Sequence, residues 1–159
     1  MSRAILIAGE ICSGKDTMVS NHYSKFPYVQ IDLGNLVREK FQTEERIFNN
    51  ELEPYFIDRI MDIIDRDNDI HGRDVIIYVV TGLRQPTLCK KIAQLFNFVQ
   101  YKYLVVPRSI LKWRYGNRAA AKDAKITFEQ AIAGDEFLGM KSLQNYLLTE
   151  VECDFIKSY

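Results

Sequence analysis

Gly9-Glu10-Ile11-Cys12-Ser13-Gly14-Lys15-Asp16-Thr17 is the stretch that decides the fold. An apolar run, Ala4-Ile5-Leu6-Ile7-Ala8, precedes it, and a segment with helical character, residues 15 to about 24, follows. Strand, glycine-bounded loop, lysine and helix form the order that a phosphate-binding loop requires. Gly9 and Gly14 let the backbone curl so that successive N–H groups, those of Cys12 and Ser13 among them, converge on an anion. The first turn of the helix adds partial positive charge, and Lys15 reaches the outer phosphates as a point charge.

One position departs from the usual pattern. Asp16 follows the lysine where a hydroxyl residue commonly binds magnesium, and Thr17 comes next. Two readings stand side by side. Asp16 holds the metal directly or through water, as suits an ion that prefers oxygen ligands, or Asp16 caps the helix while Thr17 offers its hydroxyl to a phosphate. Cys12 reads as a small filler inside the loop.

The composition narrows the field. A chain of 159 residues makes one domain with a proper core. With 47% hydrophobic and 26% charged residues it has the balance of a soluble globular protein. Lys+Arg and Asp+Glu both number 21, so there is no overall basic field and no nucleic-acid partner is expected. Cys12, Cys89 and Cys153 show no C-x-x-C spacing and fit a reducing cytoplasm better than a disulfide framework or zinc site. No apolar run approaches the roughly 18 residues of a membrane span. The expected location is the cytoplasm, with no membrane partner; oligomeric state is left open.

Further strands are expected at 28–31, 75–80, 99–106 and 153–156. The run at 75–80 is the most continuous apolar, β-branched one, as suits a parallel strand buried on both faces. Helices are expected at 33–41, 51–65, 85–96, from Pro107 through Tyr115, from about Thr127, and at 141–149. Residues 42–50 read as a mobile polar connection and 66–74 as a loop. Strands alternating with helices indicate an α/β fold with a parallel sheet. In such sheets ligands bind beyond the carboxyl ends of the strands, which here carry residues 9–15, Asp32, Thr81-Gly82-Leu83-Arg84 and Pro107-Arg108.

Phosphoryl transfer is mainly positioning and charge neutralisation, and arginine is the residue whose planar fork pairs with phosphate oxygens. Arg38, Arg84, Arg108, Arg114 and Arg118 are the candidates. Each also has a plainer reading. Arg38 could be a solvated helix residue, Arg84 the partner of a carboxylate, Arg114 and Arg118 a salt-bridged pair on one helix face, and Arg108 a surface residue. Asp32 could be a functional carboxylate or a helix cap. His22 and His71 read as surface residues, and Trp113 and Tyr115 as packing beside the lid, though one of them could stack on a base.

Three further blocks give the chain a family likeness. Gly34-Asn35-Leu36-Val37-Arg38 resembles the G-D-x-x-R element of adenylate and cytidylate kinases. Val80-Thr81-Gly82-Leu83-Arg84 is similar to their D-G-F-P-R segment with one residue fewer. The passage from Val106-Pro107 through Leu111, Arg114 and Arg118 resembles their strand-to-lid pattern, V-P-x-x-x-L-x-x-R-x-x-x-R. With the phosphate loop, the blocks cover roughly the whole chain in order and resemble the P-loop nucleoside monophosphate kinase family. The Gly-Lys-Asp-Thr variant and compact size are further similar to viral deoxynucleoside monophosphate kinases and dephospho-coenzyme A kinase relatives.

That resemblance implies a three-layer P-loop fold in one domain, residues 1–159, with a five-stranded parallel sheet of order 2-3-1-4-5 and a short lid at about 114–135. It implies ATP as donor, with magnesium, and a nucleoside or deoxynucleoside monophosphate as acceptor. Gly9, Cys12, Ser13, Gly14, Lys15, Asp16, Thr17, Arg114 and Arg118 would bind ATP; Asp32, Arg38 and Arg84 would bind the acceptor. Lys15, Arg84 and Arg118 would be catalytic, and Asp16 is the possible metal ligand.

Three departures qualify it. Thr81 stands where the family has an acid near magnesium, which makes Asp32 the candidate to take over as magnesium or acceptor-hydroxyl partner. The lid after Arg118 offers Lys122 and Lys125 but no further arginine. The sequence ends at Tyr159, where relatives continue into a loop bordering the donor base, leaving donor selectivity open. Two alternatives follow: a kinase for a hydroxyl acceptor, with Asp32 as base, and a regulatory module that binds nucleotide without phosphorylating a small molecule.

Overall fold

The computed structural model describes residues 2–23, 25, 27–71, 76–118, 120–123 and 125–159. Five strands, β1 (Arg3–Gly9), β2 (Tyr28–Asp32), β3 (Ile77–Thr81), β4 (Phe98–Val105) and β5 (Cys153–Lys157), form one parallel sheet in the order β2-β3-β1-β4-β5. Seven helices accompany them: α1 (Lys15–Tyr23), α2 (Leu33–Lys40), α3 (Glu53–His71), α4 (Pro86–Ala93), α5 (Arg108–Gly116), α6 (Phe128–Leu138) and α7 (Met140–Thr149).

The central strand sets the layering. Its side chains alternate between faces, and six of its seven residues are buried. Ala4, Leu6 and Ala8 meet a core built with α2, α3, α4 and α7; Ile5 and Ile7 point the other way, to Met18, Val19 and Tyr23 of α1. Burying each such large aliphatic side chain stabilises the fold by roughly 1.5–3 kcal/mol. The apolar run therefore anchors the strand whose end carries the phosphate loop. A third cluster at that end joins Ile11, Val106, Leu111, Phe128, Ala131 and Ile132, holding α5 and α6 against the loop.

Two stretches differ from the sequence reading. The third helix runs on through His71 instead of ending near residue 65. Its buried stripe is Phe56, Ile60, Ile63 and then Asp67, so the helical spacing continues with a polar residue that an apolar pattern cannot register. The expected loop at 72–74 and the strand start at Val75 lie outside the described residues. Residues 42–50 are docked rather than detached. Thr43 N donates to Arg38 O at 3.0 Å, Arg46 N to Lys122 O at 3.2 Å, and Gln85 Nε2 to Asn50 O at 3.3 Å. The ring of Phe48 lies so close over Gly134 that a Cβ there would sit 2.2 Å from Phe48 Cε1.

Candidate active site

All five strand ends open on one side of the sheet, and a cleft of about 670 Å³ lies there. Its first wall is the loop between β1 and α1. Cys12 and Gly14 both take left-handed backbone, with φ of 61° and 93°, the alternation that turns amides inward to an anion. Ser13 N donates to Glu10 O at 3.1 Å, closing the turn. Gly9 is required by close approach, since a Cβ would stand 2.5 Å from Ser13 Oγ.

Lys15 folds over this loop, its Nζ donating to Gly9 O and Glu10 O at 3.0 Å and to Ser13 Oγ at 3.2 Å. Burial, followed by the nearby Arg84 guanidinium, lowers its pKa from 10.5 to about 7. The site is thus costly for an isolated ammonium and favourable for one facing phosphate oxygens. Glu10 is shifted the other way by burial, against the opposing pull of Arg108, which lies 3.0 Å away.

Asp16 is exposed in the first turn of α1 and lines the cleft, one oxygen accepting from Gln30 Nε2 at 2.9 Å. Among the described residues there is no cluster of three or more His, Cys, Asp or Glu able to hold a metal. A single carboxylate beside a phosphate loop fits magnesium, which keeps several waters and takes phosphate oxygens. It does not fit a cation needing an all-protein cage. Thr17 is also exposed on the cleft.

A second wall of the cleft begins at Asp32, the last residue of β2. Its Oδ1 accepts from Gly34 N at 2.9 Å and Asn35 N at 3.4 Å, capping α2. Its Oδ2 makes no hydrogen bond among the described residues, and the residue lines the cleft. Capping and a cleft-facing carboxylate coexist in one residue. Arg38 also lines the cleft. It donates to Asn35 Oδ1 and has no carboxylate within ion-pair distance among the described residues. Gly82, with φ of 88°, lets the β3 end pass within 3.2 Å of the first amides of α2 (measured from a Cβ position).

Arg84 is the partner of a carboxylate. Its Nε donates to Asp135 Oδ1 at 2.8 Å and an Nη to Leu83 O at 3.1 Å, while the residue still borders the cleft. Asp135, on α6 and 2% exposed, also accepts from Ile11 N through Oδ2 at 3.1 Å. One buried carboxylate thus ties the phosphate loop to the arginine at the end of β3. Burial works to raise the pKa of Asp135, but Arg84 and then Lys15 and Arg46 hold it below the usual carboxylate value.

Arg114 donates to Cys12 O at 3.2 Å and to Ser158 O, bracing the loop against the end of β5. Arg118 donates Nε to Asp123 Oδ2 at 2.9 Å. Arg108 pairs with Glu10 and Glu136 and is half exposed; His22 and Trp113 are exposed. The side chain of His71 lies outside the described residues. Tyr115 packs on Phe128 and donates to Ile126 O, and the three cysteines are free.

Arg46, Asp123 and Asp135 are the residues that the sequence reading missed. Asp135 had a signal: it continues the inward spacing of Phe128, Ala131 and Ile132 on a helix opened by the Thr127–Gln130 capping box, and an acid on an apolar stripe needs a partner. Arg46 had none, because its partner Asp123 is remote in sequence. Lys122 completes this group, its pKa lowered by burial and then by Arg46, Arg118 and Arg38.

No protein-family model matches the chain, and no curated protein sequence does. Solved structures do. A gluconokinase from Sinorhizobium meliloti 1021 superposes with a TM-score of 0.55 at 12% identity, covering 98% of this chain and 82% of that one. A shikimate kinase from Bacteroides thetaiotaomicron gives 0.52 at 15%, covering 98% and 86%. A chain of the Pnkp1/Rnl/Hen1 RNA repair complex gives 0.59 at 13%, covering 91% of this chain and 44% of that one. Among the described residues no helix is long and apolar enough to cross a membrane. The likeness at such identities is one of architecture: this chain has the three-layer α/β fold of the P-loop kinases.

Proposed function

We propose that the protein transfers the γ-phosphoryl group of ATP to a nucleoside or deoxynucleoside monophosphate. The observation that carries this reading is the excess of cations where the acceptor would lie. Arg38, Arg46, Arg84 and Lys122 line the cleft with Asp32 and Asp135. Asp135 is bonded to Arg84, Asp123 to Arg46 and Arg118, and Asp32 Oδ1 to amides, while Glu39 and Glu44 lie beside Arg38 and Lys122 in a neighbouring depression. Such a group matches an acceptor that brings its own phosphate.

In the reaction an oxygen of the acceptor phosphate uses a lone pair to form a bond to the γ-phosphorus. The bond from that phosphorus to the β–γ bridging oxygen breaks, and its electron pair leaves with ADP. An ionised acceptor phosphate has no proton to lose, so no strong base is needed. Lys15 and the loop amides hold donor phosphates, Arg38 and Arg84 hold the acceptor phosphate, and Arg114 with Arg118 serves the donor as the 114–135 lid closes. Asp16 would hold magnesium directly or through water, and the ion would supply charge neutralisation on the donor phosphates. The medium is the cytoplasm in this reading, and the partners are the small-molecule nucleotides.

A second reading has its own observation. Asp32 Oδ2 is unengaged among the described residues and lines the cleft, as a base for a hydroxyl acceptor would; the gluconokinase and shikimate kinase neighbours suit that class. ADP release should be followed with ATP, magnesium and a panel of monophosphates, dephospho-coenzyme A and polyols, using Lys15→Ala as control. Asp32→Asn keeps the capping oxygen and removes the base. Turnover with a monophosphate that survives this change within a few-fold supports the proposal. A loss on the order of 100-fold, with a hydroxyl acceptor, overturns it in favour of the second reading. Nucleotide binding with no acceptor-dependent release would leave a regulatory module.

A further inference from the structure

Arg118 is the sole arginine in the lid beyond α5, which is few for closing over a group in transfer. The fold supplies another from outside the lid. Arg46, between α2 and α3, donates Nε and Nη2 to Asp123 Oδ1 at 3.2 and 3.1 Å, while Arg118 occupies Oδ2. A single carboxylate, 6% exposed, holds two guanidinium groups side by side. The backbone reinforces this through Arg46 N and Lys122 O.

The balance of charge around Asp123 favours an anion. Two cations on one carboxylate leave a net positive charge, and Lys122 beside them adds to it. Burial disfavours the charged form of Arg46, with Asp123 as the main compensation. Nη1 of Arg46 makes no hydrogen bond among the described residues, and Arg46 lines the cleft. Arg46 and Arg118 line the same cleft as Cys12 and Lys15 of the phosphate loop and as Arg84.

We propose that Arg46 is a catalytic residue, contacting the phosphoryl group in transit alongside Arg118, with Asp123 as the positioning residue that presets both. The proposal rests on the kinase reading above and extends it. The covalent changes are those of the transfer already described; Arg46 neither gains nor loses a bond or proton. It neutralises charge spread over the equatorial oxygens, and a preset guanidinium does so without reorganising at the moment of reaction.

The test compares wild type, Arg46→Ala, Arg46→Lys and Asp123→Asn with the full chain and the acceptor found by the ADP-release screen. Arg46→Ala should lower kcat about 100-fold or more, with KM for ATP nearly unchanged. It should also lose affinity for ADP with aluminium fluoride and acceptor far more than for ADP alone. Added guanidinium ion should restore part of kcat in Arg46→Ala, and Arg46→Lys should retain more activity than Arg46→Ala. Asp123→Asn should lower kcat without guanidinium rescue. The proposal is overturned if kcat stays within about threefold in Arg46→Ala. It is equally overturned if the loss follows melting temperature and guanidinium restores nothing. A wild type inactive on every acceptor removes instead the kinase reading beneath it.

Discussion

Lys15 is held where burial and the Arg84 guanidinium both oppose its charge, bringing its pKa to about 7. The unfolded chain keeps this proton to near 10.5, the folded chain to about 7. Between those values the unfolded state binds more protons, so this group makes stability rise with pH from about 7 upward; below 7 both states are protonated and its cost is constant. A polyphosphate in the loop restores the cation, so above pH 7 nucleotide binding should take up a proton. Calorimetric titration of ADP at pH 8 in buffers of different ionisation enthalpy should show uptake approaching one proton, and Lys15→Ala should remove it. Heats independent of buffer would contradict this account of Lys15. The residues of this loop were legible because their chemistry lies in local spacing: two glycines, a lysine and a preceding apolar run. Arg46 and Asp123 were not, since neither carries meaning until the fold brings them together. Arg84 was read as phosphate ligand or carboxylate partner; the second is what the geometry shows, through Asp135, with the residue bordering the cleft.

Elements were legible where periodicity was apolar and lost where a polar residue continued it. The alternating faces of β1 and the Thr127 start of α6 follow from the sequence. The last turns of α3 did not, because Asp67 takes the place of an apolar residue on its buried stripe. Residues 42–50 looked detached because they are polar, yet beyond the local Thr43–Arg38 bond they are docked by contacts to distant segments at Gln85, Lys122 and Gly134. Gly134 is the position on which that docking turns, its missing side chain being filled by the Phe48 ring. Gly134→Ala gains about 1 kcal/mol of helix propensity but forces overlap worth roughly 1–3 kcal/mol in packed sites. Overlap should win. We expect a melting temperature several degrees lower and a raised KM for the acceptor, with KM for ATP less affected. An unchanged acceptor KM in a stably folded variant would show that the segment does not shape the acceptor site.

At the scale of the whole molecule, the sheet order β2-β3-β1-β4-β5 places β1 between the strands reached by crossovers in opposite directions. That switch point is where open α/β sheets bind ligands, and it gathers the phosphate loop, Asp32, Arg84 and the end of β5 around one cleft. Alternation of strands with helices predicted the layers, and the strand-end rule predicted the location. The monophosphate acceptor was read from a family resemblance at Gly34–Arg38 and Val80–Arg84, whereas the grouping of Arg46, Asp123 and Arg118 needed the fold. The most direct test of the central claim is the ³¹P NMR spectrum of a reaction containing ATP, magnesium and the best monophosphate acceptor. The acceptor's monophosphate signal should give way to the paired resonances of a nucleoside diphosphate while ATP becomes ADP, and Lys15→Ala should abolish both changes. Inorganic phosphate as the sole product, or no consumption of ATP, would contradict it.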